Sequence, residues 1–177
     1  INGNGSFNYD PRSSAELIAL PFADPAVADA VSYTMEDSQG IQSTATLTVF
    51  VTPVNDNPIA MFDNYTIFQN LQLIADDEDG TASPSNDNDN GVLVNDFDPD
   101  TGDTFAVTDF GTTTGGFTGD LIDELSELGA TVTLDANGSF TYDPSTSVEL
   151  MGLNRGQTME DEFVYEITDS NGATATA

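Results

Sequence analysis

The chain has 177 residues, 31 of them Asp or Glu and 2 basic, with no His, Cys or Trp, and it carries a formal charge of −29. Such a charge excludes nucleic acid and anionic membrane surfaces as partners, because both are polyanions. The missing His and Cys remove the usual general base, the thiolate nucleophile and the usual zinc ligands, so the sequence reads as non-enzymatic.

High net charge favours disorder when apolar residues are scarce. Here 38% of the chain is apolar, and its 11 Phe and 5 Tyr recur in regular alternation. A folded protein is expected, with self-repulsion relieved by bound cations or by salt. No apolar run approaches the roughly 20 residues of a membrane span, so no membrane insertion is expected. The chain has no signal-peptide pattern and does not begin with Met, and it reads as a piece excised from something longer.

The chain opens with Phe7 and Tyr9 alternating with polar neighbours, followed by Val31, Tyr33 and Met35, and then Ala45, Leu47, Val49 and Val51. Period two with β-branched and aromatic residues predicts half-buried antiparallel strands. The turn Asp37-Ser38-Gln39-Gly40 joins the last two as a hairpin. Next comes Pro53-Val54-Asn55-Asp56-Asn57-Pro58, stiffened by a Pro at each end and rich in oxygen donors, which reads as a calcium-type linker between two domains.

Beyond the linker the pattern predicts seven strands, A to G, at 64–68, 92–95, 104–109, 130–134, 139–142, 162–168 and from 172 onward. Between A and B lies an acidic loop, 76–91, and between B and C another, 96–103. Leu121, Ile122, Leu125 and Leu128 stand at helical spacing, with Asp120 as a cap and Gly129 as a stop, which predicts one short helix over 120–128. The expected fold class is all-β: an immunoglobulin/cadherin-like Greek-key sandwich with one short helix.

The chain also repeats itself. Asn4-Gly5-Ser6-Phe7-Asn8-Tyr9-Asp10-Pro11 matches Asn137-Gly138-Ser139-Phe140-Thr141-Tyr142-Asp143-Pro144 at seven of eight positions, with an offset of 133. Tyr33–Gly40 matches Tyr165–Gly172 with an offset of 132. Residues 1–57 then form the C-terminal part of one repeat, and 58–177 a second repeat, nearly complete but lacking its last strand. Adjacent repeats, or neighbouring copies of the chain, are the expected suppliers of the missing pieces.

The densest chelating element is Asp96-Phe97-Asp98-Pro99-Asp100-Thr101-Gly102-Asp103. Alternate carboxylates on a tight turn suit Ca2+, which takes six to eight oxygens at flexible geometry; Mg2+ demands a stricter octahedron. The plainer reading is a solvated acidic turn. The candidate ligands are Asn55, Asp56 and Asn57 of the linker, Asp96, Asp98, Asp100 and Asp103 of the loop, and Asp37 and Asp169 of the two equivalent hairpin turns. Asp37 and Asp169 serve equally well as Asx turns closing their own backbone. Asp76–Asp79 is a solvated cluster or a clamp for a following repeat. Asn86–Gly91 begins like an EF-hand loop but carries Phe97 where the twelfth-position Glu belongs, so that motif fails. If strand A enters at one end of the sandwich, the B–C loop and the D–E and F–G turns share that end with the linker.

The pattern Asn95-Asp96-Phe97-Asp98-Pro99-Asp100, then Asn137–Tyr142, then Phe163-Val164-Tyr165 and Asp169–Gly172 resembles the VCBS and cadherin-like tandem repeats of bacterial surface proteins. The linker resembles the cadherin inter-domain motif. The resemblance implies calcium at repeat junctions and a secreted or cell-surface role in extending or adhering. Two alternatives stay open. One is a module binding a cell-surface glycan or protein, with Phe50, Phe110 or Phe117 as exposed aromatics. The other is a fibre subunit assembled by strand exchange between chains.

Overall fold

In the computed structural model the chain is described except for residues 76–90, 113–115, 118, 120, 122 and 123. The acidic loop expected at 76–91, with Asp76–Asp79 and the EF-hand-like stretch, therefore falls almost wholly outside the described residues. Two compact units emerge, one built on Ile1–Asn55 together with the short loop segment Asp100–Gly102, the other on Asp56–Pro99 and Asp103–Ala177.

The first unit contains a short helix α1 (Ala15–Ile18) and a hairpin of β1 (Val27–Glu36) and β2 (Gln42–Val51). The hairpin pairs in continuous antiparallel register from Val27↔Val51 to Glu36↔Gln42. Its turn is closed by Asp37, whose Oδ1 accepts from the N–H of Gln39 at 2.8 Å and of Ile41 at 2.9 Å.

Among the described residues the second unit has seven strands: β3 (Leu73–Ala75), β4 (Phe105–Gly111), β5 (Glu124–Leu125), β6 (Thr131–Leu134), β7 (Phe140–Asp143), β8 (Val164–Asp169) and β9 (Thr174–Thr176). A further short helix, α2 (Val148–Met151), lies between β7 and β8. The strands form two antiparallel sheets, in the orders β3-β7-β6-β5 and β4-β8-β9. Their inward residues Leu73, Val107, Phe110, Val132, Leu134, Phe140, Tyr165 and Ile167 make one core, joined by Val92 from outside the ladders. Alternation along β6 and β8 is strict, as a half-buried sheet requires. β4 alternates only until Val107, after which the register against β8 shifts, so that Val107 faces Ile167 and Phe110 faces Tyr165. This bulge is why an odd and an even residue of one strand both enter the core. Edge-to-face stacking links Tyr65 to Phe140, with ring centroids 5.0 Å apart, and Phe140 to Phe163, 5.5 Å apart.

The all-β immunoglobulin-like architecture with short helical turns agrees with the sequence reading, and strands C to G fall within a few residues of their expected places. Three local expectations are corrected. No strand occupies 64–68; Tyr65 and Ile67 pack against the core without a ladder, and the first strand is Leu73–Ala75. Period-two alternation reports which side chains are buried, not whether the backbone finds a partner. Val92–Asn95 is a turn rather than a strand. Its apolar run reflects Val92 plugging the core while its N–H donates to Gly138 O at 2.8 Å. Nor does a helix cover 120–128: Glu124–Leu125 pairs with β6, and Asp120 and Ile122 lie outside the described residues. The helical turns occur instead after the two Asp-Pro pairs, where Ser14 caps α1 and Ser147 caps α2.

Candidate metal centre

Loop 96–103 leaves the turn at Val92–Asn95 and feeds β4. Gly102, at φ +91, supplies the left-handed residue that lets the loop reverse over so short a span. Within the loop, Asp98, Asp100 and Asp103 each present one carboxylate oxygen such that all three oxygens lie within 4.8 Å of one another. Asp100 is only 2% exposed, and Asp98 and Asp103 are half-buried. Asp103 is held in place from the β8–β9 turn: Ser170 Oγ donates to its Oδ1 at 3.2 Å and Asn171 Nδ2 to its Oδ2 at 2.5 Å. The loop and that turn therefore share one end of the sandwich, as the strand order predicted.

Three hard, anionic oxygen donors at this spacing fit a divalent cation of the Ca2+ type. Burial of a carboxylate beside two others costs both desolvation and repulsion, which a cation offsets. The sites Asp98, Asp100 and Asp103 would contribute are carboxylate oxygens only; the remaining positions of a six-to-eight-fold shell fall to backbone oxygens or water.

The other sequence candidates are placed differently. Asp96, although in the same loop, turns away from this trio: its Oδ1 accepts from Met61 N at 2.7 Å, and the Tyr165 hydroxyl donates toward its Oδ2 at 3.1 Å. Asp169 closes its own turn, its Oδ1 accepting from Asn171 N and Ala173 N, both at 2.8 Å. Asp37 does the same in the first hairpin, so the Asx-turn role proposed for this pair is present at both sites. In the linker, Asn55 and Asp56 are half-buried, and Asn57 Nδ2 donates to Thr174 O at 3.0 Å, tying the linker to β9. Of the aromatics considered as a glycan platform, Phe50 is exposed but Phe110 is wholly inside the core, which removes it from that role.

A second polar knot escaped the sequence reading. The Tyr165 hydroxyl lies 3.1 Å from Met61 O and Val92 O, 3.3 Å from Asp63 Oδ2 and 3.1 Å from Asp96 Oδ2. Burial, with the neighbouring Asp96 charge adding to it, pushes the Asp63 carboxyl up to about 6. Burial likewise raises Asp96. The same causes, burial first and then the two carboxylates, raise Tyr165. Asp63 carried no motif of its own, and only its fold partner Tyr165 reveals it.

A family model described as a bacterial Ig domain matches residues 55–177. No curated protein matches the chain. Among the described residues no helix is long and apolar enough to cross a membrane.

Proposed function

Because the chain belongs to the bacterial Ig domain family, we propose that it is a structural or adhesive repeat of a long bacterial surface protein, stabilised by calcium and without enzymatic activity. The observation that carries the calcium part is the convergence of Asp98, Asp100 and Asp103 within 4.8 Å, with Asp100 buried. A bound Ca2+ neutralises clustered carboxylates in a chain of charge −29 and couples ion binding to folding. The finer likeness to VCBS and cadherin-like repeats extends this to the junction: Asn55, Asp56 and Asn57 stiffen a hinge, so that ion binding turns a string of repeats into a rod.

Calcium titration by calorimetry tests the reading. The chain binds Ca2+ with a rise in melting temperature, and Asp100→Asn weakens the binding and reduces the rise. An absence of binding heat, together with identical melts in calcium and in chelator, would overturn it. Scattering of the chain with and without calcium tests the hinge, whose stiffening requires a narrower spread of dimensions in calcium.

A further inference from the structure

The first unit is built as the second half of the second unit. Pairing in β8–β9 runs Glu166↔Thr176, Ile167↔Ala175 and Thr168↔Thr174, and pairing in β1–β2 includes Thr34↔Thr44, Met35↔Ser43 and Glu36↔Gln42, each number 132 lower. The turn bonds of Asp169 recur at Asp37 with the same offset. The hydroxyl of Tyr142 donates to Asp161 Oδ2, and that of Tyr9 to Asp29 Oδ2. Both helical turns recur as well, after Asp10-Pro11 and after Asp143-Pro144.

Burial does not recur. Phe140 is 3% exposed but its counterpart Phe7 is 50%, and Ile167 is 0% but its counterpart Met35 is 53%. Phe140 and Ile167 share one buried core with Val92, Val107, Phe110 and Val132, from the first half of the repeat. β8 has neighbours on both sides, β4 and β9, whereas among the described residues β1 pairs with β2 alone. β1 is also ten residues long, without Gly, Pro or a register shift, and only Asp29 and Glu36 place charge along its open edge.

We propose that the open edge of β1 and the face carrying Phe7, Val31, Tyr33 and Met35 form an acceptor for a first-half segment of the same repeat type, a polypeptide with the pattern of residues 58–133. The established β4–β8 interface fixes how it docks. Transposed by 132, a β4-type strand sets its Val107 equivalent opposite Met35, its Phe110 equivalent opposite Tyr33 and its Gly111 equivalent opposite Ser32. The chain's own β3, β4 and β6 already pair with β7 and β8, so the occupant is a further such segment. This deepens the structural-repeat reading and is independent of the calcium site.

The test is a chain in which a second copy of residues 58–133 is joined directly ahead of Ile1, since Ile1 is the equivalent of Leu134. In saturating calcium, amide exchange across β1 slows by at least about a hundredfold relative to the unextended chain. With Val107→Asp and Phe110→Asp in the added copy alone, the slowing is lost. Unchanged β1 exchange in the extended chain overturns the proposal. If the extended chain is insoluble, a peptide of residues 103–112 added to the unextended chain reads the same edge; it must slow β1 exchange, its Val107→Asp form must not, and failure of either overturns the proposal. Dimerisation of the unextended chain that Met35→Asp abolishes also overturns it, because a second copy is then the occupant. Calcium calorimetry on the same samples reports separately on the ion site.

Discussion

The hydroxyl of Tyr142 donates to Asp161 Oδ2 at 2.5 Å, and this contact ties β7 to the segment that leads into β8. Asp161 also accepts from Ser126 Oγ at 2.5 Å and from Leu128 N at 2.8 Å, so one carboxylate gathers three chain segments. Burial raises Tyr142, and the hydrogen bond to Asp161 adds to the shift. Tyr142→Phe removes one bond to a charged acceptor and should cost about 1.5–3 kcal/mol in urea unfolding of the second unit. Tyr9→Phe, which deletes the equivalent bond to the exposed Asp29, should leave the urea midpoint unchanged. Equal effects at the two sites would contradict the difference in burial.

The loop carboxylates separate into two groups, and calcium affinity should separate them too. Asp98→Asn, Asp100→Asn and Asp103→Asn should each weaken Ca2+ binding by at least about tenfold, or about 1.4 kcal/mol. Asp96→Asn should leave calcium affinity intact, because that side chain is engaged by Met61 N and Tyr165 instead. Titration calorimetry of the four variants checks the division; a loss at Asp96 equal to that at Asp100 would place Asp96 in the ion's shell.

Asp63 supplies a pH signature. Its folded carboxyl is pushed up from 3.8 to about 6, so between these values the folded state binds a proton that the unfolded chain does not. Ionising Asp63 therefore removes stability as pH rises from about 4 to about 6, and protonation restores it on the way down. Asp63→Asn mimics the protonated form. In chelator, the stability of the variant relative to the parent should climb across that window and level off above about pH 7. Urea unfolding at several pH values measures the difference, and a flat difference would sink the assignment.

Gly138 is required twice over. Its φ is +87, and a Cβ there would lie 2.6 Å from Leu93 Cγ and 3.0 Å from Leu93 N. Gly5, its repeat equivalent, has φ +83 but open space around the same position. Gly138→Ala should lose the conformational cost of about 1–2 kcal/mol and a steric cost in addition. Gly5→Ala should show the conformational part alone. Thermal melts of the two variants make the comparison.

What could be read from residues alone was whatever depends on local spacing. Alternation located β1, β2, β4 and β6 to β8, the Asp169–Gly172 turn placed β9 after them, and the matched blocks Asn4–Pro11 and Asn137–Pro144 gave the repeat and its offset. Asp37 and Asp169 carried their turn role in the Asp-Ser-x-Gly pattern that surrounds them. Alternation failed at 64–68 and 92–95 because it records which side packs inward: the unladdered Tyr65 is half-buried against the core and the turn residue Val92 is buried in it, both without strand pairing. The helix expected at 120–128 failed for a related reason: Leu125 pairs its backbone with β6, a partner no helical spacing can anticipate.

Only the tertiary structure divided the carboxylates. Asp96 and Asp98 are two residues apart in an acidic run, yet one meets Tyr165 and the other joins Asp100 and Asp103, because loop backbone direction rather than composition aims each side chain. The tertiary structure likewise separated Phe7 from Phe140. Their surrounding sequences are almost identical, but burial belongs to the neighbours that cover a residue, and strands contributed from residues 73–134 cover only the second.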